Sequence, residues 1–159
     1  MAREPSKLED EVGGLSMFVG EFVHSLDPKR RLTIPSVWRS QIGVPAGVIV
    51  MPDYTSPCLT VFPAGQMAHR YEALRQQAMS NERARKFMRM LGRSSELLPW
   101  DTQGRIRIKD WLLEFAGLED SVTMIGAWDH IELWQAERLA ADGEFDPVRM
   151  KELGEGVEF

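Results

Sequence analysis

Two segments of the chain set an aspartate four residues ahead of an arginine: Asp27-Pro28-Lys29-Arg30-Arg31 and, 74 residues later, Asp101-Thr102-Gln103-Gly104-Arg105. Across a tight polar link, a carboxylate at that spacing can hold the guanidinium in one orientation and leave it donors to spare. The planar fork of arginine matches the two acceptors on a guanine edge and the paired oxygens of a phosphate. Lys29, Arg30 and Gln103, inside the two links, add donors for the same kind of ligand. The pairs could equally be salt bridges that do no more than tie turns. The residues alone leave both readings open.

The elements around these pairs also occur twice. Each arginine leads into an alternating apolar run, Leu32 and Ile34 in one copy and Ile106 and Ile108 in the other, the pattern of a turn feeding a half-buried strand. In the same register Gly43 matches Gly117 and Val48 matches Val122, and a two-residue adjustment aligns Leu59-Thr60-Val61-Phe62 with Ile131-Glu132-Leu133-Trp134. The chain therefore reads as a duplicated half-domain. Strands are expected at 17–23, 31–34, 48–51 and 59–62, then at 97–100, 105–108, 122–125 and 131–134. Pro35 can open a short helix that buries Trp38 and Ile42 and ends at Gly43. Its counterpart runs from Trp111 to Ala116, with Asp110 as its cap and Gly117 as its stop.

Between the copies the period becomes helical. Met67, Tyr71, Leu74 and Ala78 mark one helix. Ser80-Asn81 breaks it, and Ala84, Phe87, Met88 and Leu91 form the expected buried stripe of a second helix that Gly92 stops. The expected division is a disordered tail at 1–16, half-domains at 17–64 and 93–138, a helical connection at 65–92 and an acidic tail at 139–159. Neither half can bury much apolar surface alone. An α+β, β-rich fold, with the halves paired about a pseudo-twofold axis in one barrel with short helices, is the economical solution.

Charge and composition exclude several classes of function. With 19 lysines and arginines against 24 aspartates and glutamates, the net charge is −5. The distribution is uneven: Arg70, Arg75, Arg83, Arg85, Lys86, Arg89 and Arg93 gather in the helical connection, Lys29 to Arg31 in the first link, and acid at both ends. A basic patch on an acidic protein is thus available to an anionic partner. The cations at 83–93 read as a solvated helix face or a subunit contact. The single cysteine, Cys58, cannot form an internal disulfide and reads as a small buried residue. His24, His69 and His130 lack ligand spacing, so no metal is expected. No nucleophile–base set and no glycine-rich phosphate loop is recognisable, and neither a cofactor nor an enzyme activity is expected. Trp38, Trp111 and Trp134 fall at apolar positions and read as core. No apolar run approaches the roughly 20 residues of a membrane helix, and the first residues lack a signal-peptide core. A cytoplasmic protein is expected.

The run Met17-Phe18-Val19-Gly20-Glu21 … Leu26-Asp27-Pro28-Lys29-Arg30-Arg31-Leu32-Thr33-Ile34-Pro35 resembles the first half of the MraZ family. So do Pro57-Cys58-Leu59-Thr60-Val61-Phe62-Pro63, the arginine-rich helix before Gly92, and Gly117-Leu118 … Glu132-Leu133-Trp134. The resemblance spans about residues 17–140. It implies the AbrB-type swapped-hairpin DNA-binding fold, with two half-domains per chain, a ring-shaped homo-oligomer and double-stranded DNA as partner. It also implies a nucleoid-associated transcriptional regulator, usually a repressor, acting on repeated boxes upstream of its own division and cell-wall gene cluster. On that reading Arg31 and Arg105 contact DNA, Asp27 and Asp101 orient them, and Lys29 is the basic residue usual in the first link. An oligomeric interaction module of the same fold that has lost DNA binding is the alternative, prompted by the acidic total and by Arg30. Family members usually carry glycine at the position of Arg30, and an apolar residue or proline where Lys109-Asp110 stand.

Overall fold

The computed structural model describes residues 17–43 and 46–159, so the expected N-terminal tail lies outside the described residues. Each half contributes two strands, a short helix and two more strands. In the first half these are β1 (Glu21–Ser25), β2 (Arg31–Thr33), α1 (Ser36–Arg39), β3 (Val48–Pro52) and β4 (Leu59–Pro63). In the second they are β5 (Glu96–Leu98), β6 (Arg105–Arg107), α4 (Asp110–Ala116), β7 (Ser121–Gly126) and β8 (Ile131–Trp134). Between the halves stand a single 3-10 turn (Ala64–Gln66) and helices α2 (Met67–Ala78) and α3 (Glu82–Ser94). Helices α5 (Ala136–Asp142) and α6 (Pro147–Gly154) follow β8.

The fold is α+β and β-rich, and its strand order shows how the copies combine. Six strands form one sheet in the order β1-β7-β8-β4-β3-β5, and β2 pairs with β6 in a separate ribbon. Exchanging equivalent strands (β1 with β5, β3 with β7, β4 with β8) returns the same order read backwards. Each half's first strand lies against the other half's third: Phe22 faces Met124, and Glu96 faces Val50. At the centre of the sheet Thr60 faces Glu132 across β4 and β8, and in the ribbon Leu32 faces Ile106.

The closed barrel expected from the sequence is not formed among the described residues. The sheet ends at β1 and β5, because β2 and β6 spend their backbone groups on each other rather than closing it. Leu32, Ile34, Ile106, Ile108, Leu112, Val122 and Leu133 pack between the layers with at most 1% exposure. Trp38 joins them and donates its indole N–H to the Val19 carbonyl at 3.1 Å, which satisfies its one polar atom.

Several local expectations are corrected. The first strand starts at Glu21, and Phe18 instead makes an isolated bridge to Trp128. Helix α1 ends at Arg39, before Gly43, and α3 passes through Gly92 to Ser94. Asp110 is the first residue of α4 rather than its cap, whereas Gly117 terminates that helix at φ 66°. Trp111 is 42% exposed, since Leu112, Leu113 and Ala116 take the inward face of α4. No residue of α3 is buried, because α3 packs beside α2 and meets the sheet mainly along β3, outside the core. Asn81 does cap it, accepting from the backbone of Arg83 and Ala84. The acidic tail contains a further helix, α6, capped by Asp146 with Pro147 in its first turn.

Helix α2 is fastened to the sheet by charge. The Arg70 guanidinium lies 4.3 Å from the Phe62 ring centroid and pairs with Asp129. His130 sits between Glu132, at 3.0 Å, and Asp129, at 2.6 Å. The hydrogen bond to Glu132 and the contact with Asp129 hold its imidazole above the usual histidine value, against the opposing effect of burial.

The two Asp-to-Arg links adopt one conformation. In each, the residue before the arginine donates to the aspartate carbonyl at 2.9 Å and has positive φ: 62° at Arg30 and 76° at Gly104. Their carbonyls then accept from the opposite half, Gly104 from Ile34 at 2.9 Å and Arg30 from Ile108 at 3.1 Å. Arg30 thus occupies a left-handed position that glycine fills without steric cost. We expect Arg30→Gly to be neutral or to stabilise by up to about 1 kcal/mol, and Gly104→Ala to cost about 1–2 kcal/mol. In the latter the new Cβ would also stand 2.4 Å from the Arg39 guanidinium. Urea unfolding of the two variants beside the parent protein checks the contrast in sign.

Candidate nucleic-acid interface

Side chains alternate across a strand, so burying Leu32 and Ile106 dictates where their neighbours go. Arg31 and Thr33 on β2, and Arg105 and Arg107 on β6, fall on the opposite face of the ribbon. The register places Arg31 across from Arg107 and Thr33 across from Arg105. The result is a short antiparallel ribbon with an apolar underside and a cationic top.

The aspartates organise both ends of that top. Asp27 Oδ1 accepts from the backbone N–H groups of Lys29 at 2.9 Å and Arg31 at 2.8 Å, while its Oδ2 accepts from Arg31 Nε at 2.6 Å. Asp101 repeats the arrangement with Gln103 at 2.9 Å, Arg105 N–H at 3.0 Å and Arg105 Nε at 2.9 Å. One carboxylate therefore closes its link and fixes its arginine together. The two links also meet, since Arg105 Nη1 lies 4.0 Å from Asp27 Oδ2. Arg31 gives its Nε to the carboxylate, and its Nη groups take no part in that bond.

The sequence-expected residues separate in this geometry. Asp27, Arg31, Asp101 and Arg105 come together. Lys29 and Gln103 give their backbone N–H groups to the aspartates and carry exposed side chains at the two link tips. Arg30 is drawn aside: its Nε lies 3.6 Å from Asp110 and its Nη1 donates to the Glu119 carbonyl at 3.4 Å. Lys109 is tied to Glu96 through its backbone N–H, at 3.0 Å. The sequence reading missed Arg107, which is exposed on the same face. Its signal was the period of two from Arg105, masked because the first copy has Thr33 there.

Other charged groups stand apart from the ribbon. The cations of α3 lie on a helix that borders β3, with Lys86 paired to Glu82 at 3.5 Å and Arg85 donating to the Ala78 carbonyl at 2.9 Å. Asp53, Cys58 and Glu132 lie close together, their polar atoms within 4.8 Å of one another. Asp53 is engaged by Thr55 and Ser56, and Glu132 by His130 and Trp134. Burial pushes the Cys58 thiol up, out of reach of ionisation at neutral pH.

Both link aspartates are held below the usual carboxylate value. At Asp27 desolvation works against the charge but is outweighed by hydrogen bonds from the Arg31 backbone and side chain and by the Arg31 charge. At Asp101 the Arg105 backbone N–H is the leading cause, supported by the Arg105 side chain and the Gln103 N–H. A depressed folded-state pKa contributes stability that is present above the unfolded value, about 4, and is lost as pH falls through the folded value. Asp27→Asn with Asp101→Asn should therefore be less stable than the parent near pH 7. The gap should close as pH falls below about 4. Urea midpoints measured from pH 7 to pH 2.5 check this, and a gap independent of pH would contradict it.

No family model matches the chain. The chain is 32% identical over 144 residues to the transcriptional regulator MraZ of Clostridium acetobutylicum, an alignment covering 87% of this chain and 99% of that protein. It is 33% identical over 128 residues to the transcriptional regulator MraZ of Thermomicrobium roseum, covering 80% and 88%. With the transcriptional regulator MraZ of Corynebacterium jeikeium it shares 35% identity over 124 residues, covering 78% and 85%.

Proposed function

The chain belongs to the MraZ family of transcriptional regulators, and from that premise we propose that it binds double-stranded DNA through the outer face of the β2–β6 ribbon. The observation that carries this reading is the pair of Asp-to-Arg links meeting at one cationic ribbon. A two-stranded ribbon fits the major groove. Arg31 and Arg105, held by Asp27 and Asp101, present their forks to guanine edges or phosphates, and Arg107 adds a third cation. Lys29 and Gln103 reach backbone or base edges from the link tips. Arg30 contributes charge nearby but points toward α4. The net charge of −5 is no obstacle, because one face alone has to be positive.

On this reading residues 17–64 and 93–138 are two half-domains of the AbrB-like swapped-hairpin type, joined by the helices of 65–92. The exchange of β1 and β5 between halves supports that assignment. The protein acts in the cytoplasm, on the nucleoid, as a repressor of its own division and cell-wall gene cluster. A ring of copies repeats a modest contact along repeated promoter boxes, so avidity comes from effective concentration. No helix among the described residues is long and apolar enough to cross a membrane. The protein is not an enzyme. The alternative of a module without DNA affinity loses one motive here, since Arg30 keeps the backbone conformation that Gly104 has.

The test is a mobility shift on the DNA upstream of the protein's own gene, titrated with salt. The wild type should retard that DNA in a repeat-dependent way. Arg31→Ala with Arg105→Ala should weaken binding at least about 100-fold, and lower the salt slope by about 0.9 for each phosphate no longer neutralised. Undiminished binding by the double variant would contradict the assignment.

A further inference from the structure

Cys58 is the chain's only cysteine and is fully buried, and its thiol makes no hydrogen bond among the described residues. It is aimed at charge. Its Sγ, a carboxylate oxygen of Asp53 and one of Glu132 all lie within 4.8 Å of one another. The strands dictate this meeting. Asp53 donates its backbone N–H to the Cys58 carbonyl at 3.0 Å, across the end of the β3–β4 hairpin. Cys58, one residue ahead of β4, shares a strand face with Thr60, and Thr60 stands opposite Glu132 on β8. The duplicated fold does not itself require the trio. In the alignment of Leu59 with Ile131, His130 is the counterpart of Cys58 and Thr60 that of Glu132, so neither ligand type recurs.

One thiol and two carboxylates are the donor set of a particular kind of ion. Burial, and after it the charges of Glu132 and Asp53, keep the proton on the sulfur. A divalent cation reverses that balance, because it draws off the thiol proton and neutralises the carboxylates together. Zinc accepts thiolate at about 2.3 Å and carboxylate at about 2.0–2.2 Å, whereas magnesium and calcium favour oxygen alone. Donor atoms around such an ion stand roughly 3.3–3.6 Å apart, so small side-chain rotations close the present spacing. The outer hydrogen bonds that hold ligands in place are also built. Glu132 accepts from Trp134 Nε1 at 2.9 Å and lies 3.0 Å from His130 Nε2. Asp53 Oδ1 accepts from the Thr55 N–H at 2.7 Å, the Thr55 hydroxyl at 2.8 Å and the Ser56 N–H at 2.9 Å. Asp53 also lines the groove between the sheet and the α2–α3 pair, which gives an ion its way in.

We propose that Asp53, Cys58 and Glu132 bind a thiophilic divalent cation of the zinc class, with water in the fourth position. Asp53 and Cys58 belong to the first half of the chain and Glu132 to the second. The ion therefore ties the halves together where β4 meets β8, at the centre of the sheet. Its role is structural, and it stands independently of the reading of the ribbon.

The test titrates the full chain, first stripped with a chelator, with Co²⁺ as a spectroscopic stand-in for Zn²⁺. A sulfur-to-cobalt charge-transfer band should grow in the near ultraviolet and saturate at one ion per chain. Because Cys58 is the only thiol, the band reports on this site alone. Zn²⁺ should displace the cobalt, and excess Mg²⁺ should not. Cys58→Ser should lose the band and, in competition with a chromophoric chelator, bind Zn²⁺ at least about tenfold more weakly. Zn²⁺ should also raise the melting temperature of the wild type by more than that of the variant. Glu132→Gln keeps an acceptor for Trp134 and should likewise weaken Zn²⁺ binding. It decides the matter if Cys58→Ser does not fold. No charge-transfer band with Co²⁺ in large excess would overturn the proposal. So would Zn²⁺ affinity undiminished in either folded variant.

Discussion

The ladder between Arg31–Thr33 and Arg105–Arg107 is short, yet the remaining strands are placed around it. Leu32 and Ile106 face each other there with no exposure. Because side chains alternate, sinking those two into the core turns Arg31, Arg105 and Arg107 outward together. A one-residue slip would bury arginines and expose the apolar pair, so the hydrophobic core and the cationic face enforce a single register. The links that flank the ladder then accept across the pseudo-twofold, Gly104 from Ile34 and Arg30 from Ile108, so each turn is braced by the other half.

The acid in each link does two jobs with one side chain. As an acceptor for two backbone N–H groups it closes the turn. As a counter-ion it fixes an arginine. The salt bridge is thus structural, and on the proposed reading it also readies the arginine for DNA. Holding a long side chain in place beforehand lowers the entropy to be lost when it meets its partner.

Much of this was legible in the chain. The doubled link, the strands after it and the pairing of the halves follow from local period and turn chemistry, and Asn81 and Gly117 cap where such residues should. What escaped depended on tertiary context. Phe87, Met88 and Leu91 have the spacing of a core stripe, but α3 lies outside the core beside α2 and turns them to a groove. Trp111 looked like core because its neighbours are apolar, although Leu112 and Leu113 had already filled the inward positions. The open sheet escaped because strand pairing, unlike burial, leaves no periodic trace in the sequence. Arg107 was missed because its counterpart is Thr33.

The central claim is that the ribbon face, and not the arginine-rich helix α3, touches DNA. Thr33 lies on that face opposite Arg105 and is half-buried, so a photoreactive side chain there reports contact at close range. The same group at Arg89 on α3 serves as the comparison. Irradiating each protein with its promoter DNA should yield a covalent DNA adduct from position 33 and none above background from position 89. An adduct from position 89 with none from position 33 would contradict the account and move the DNA to the helices.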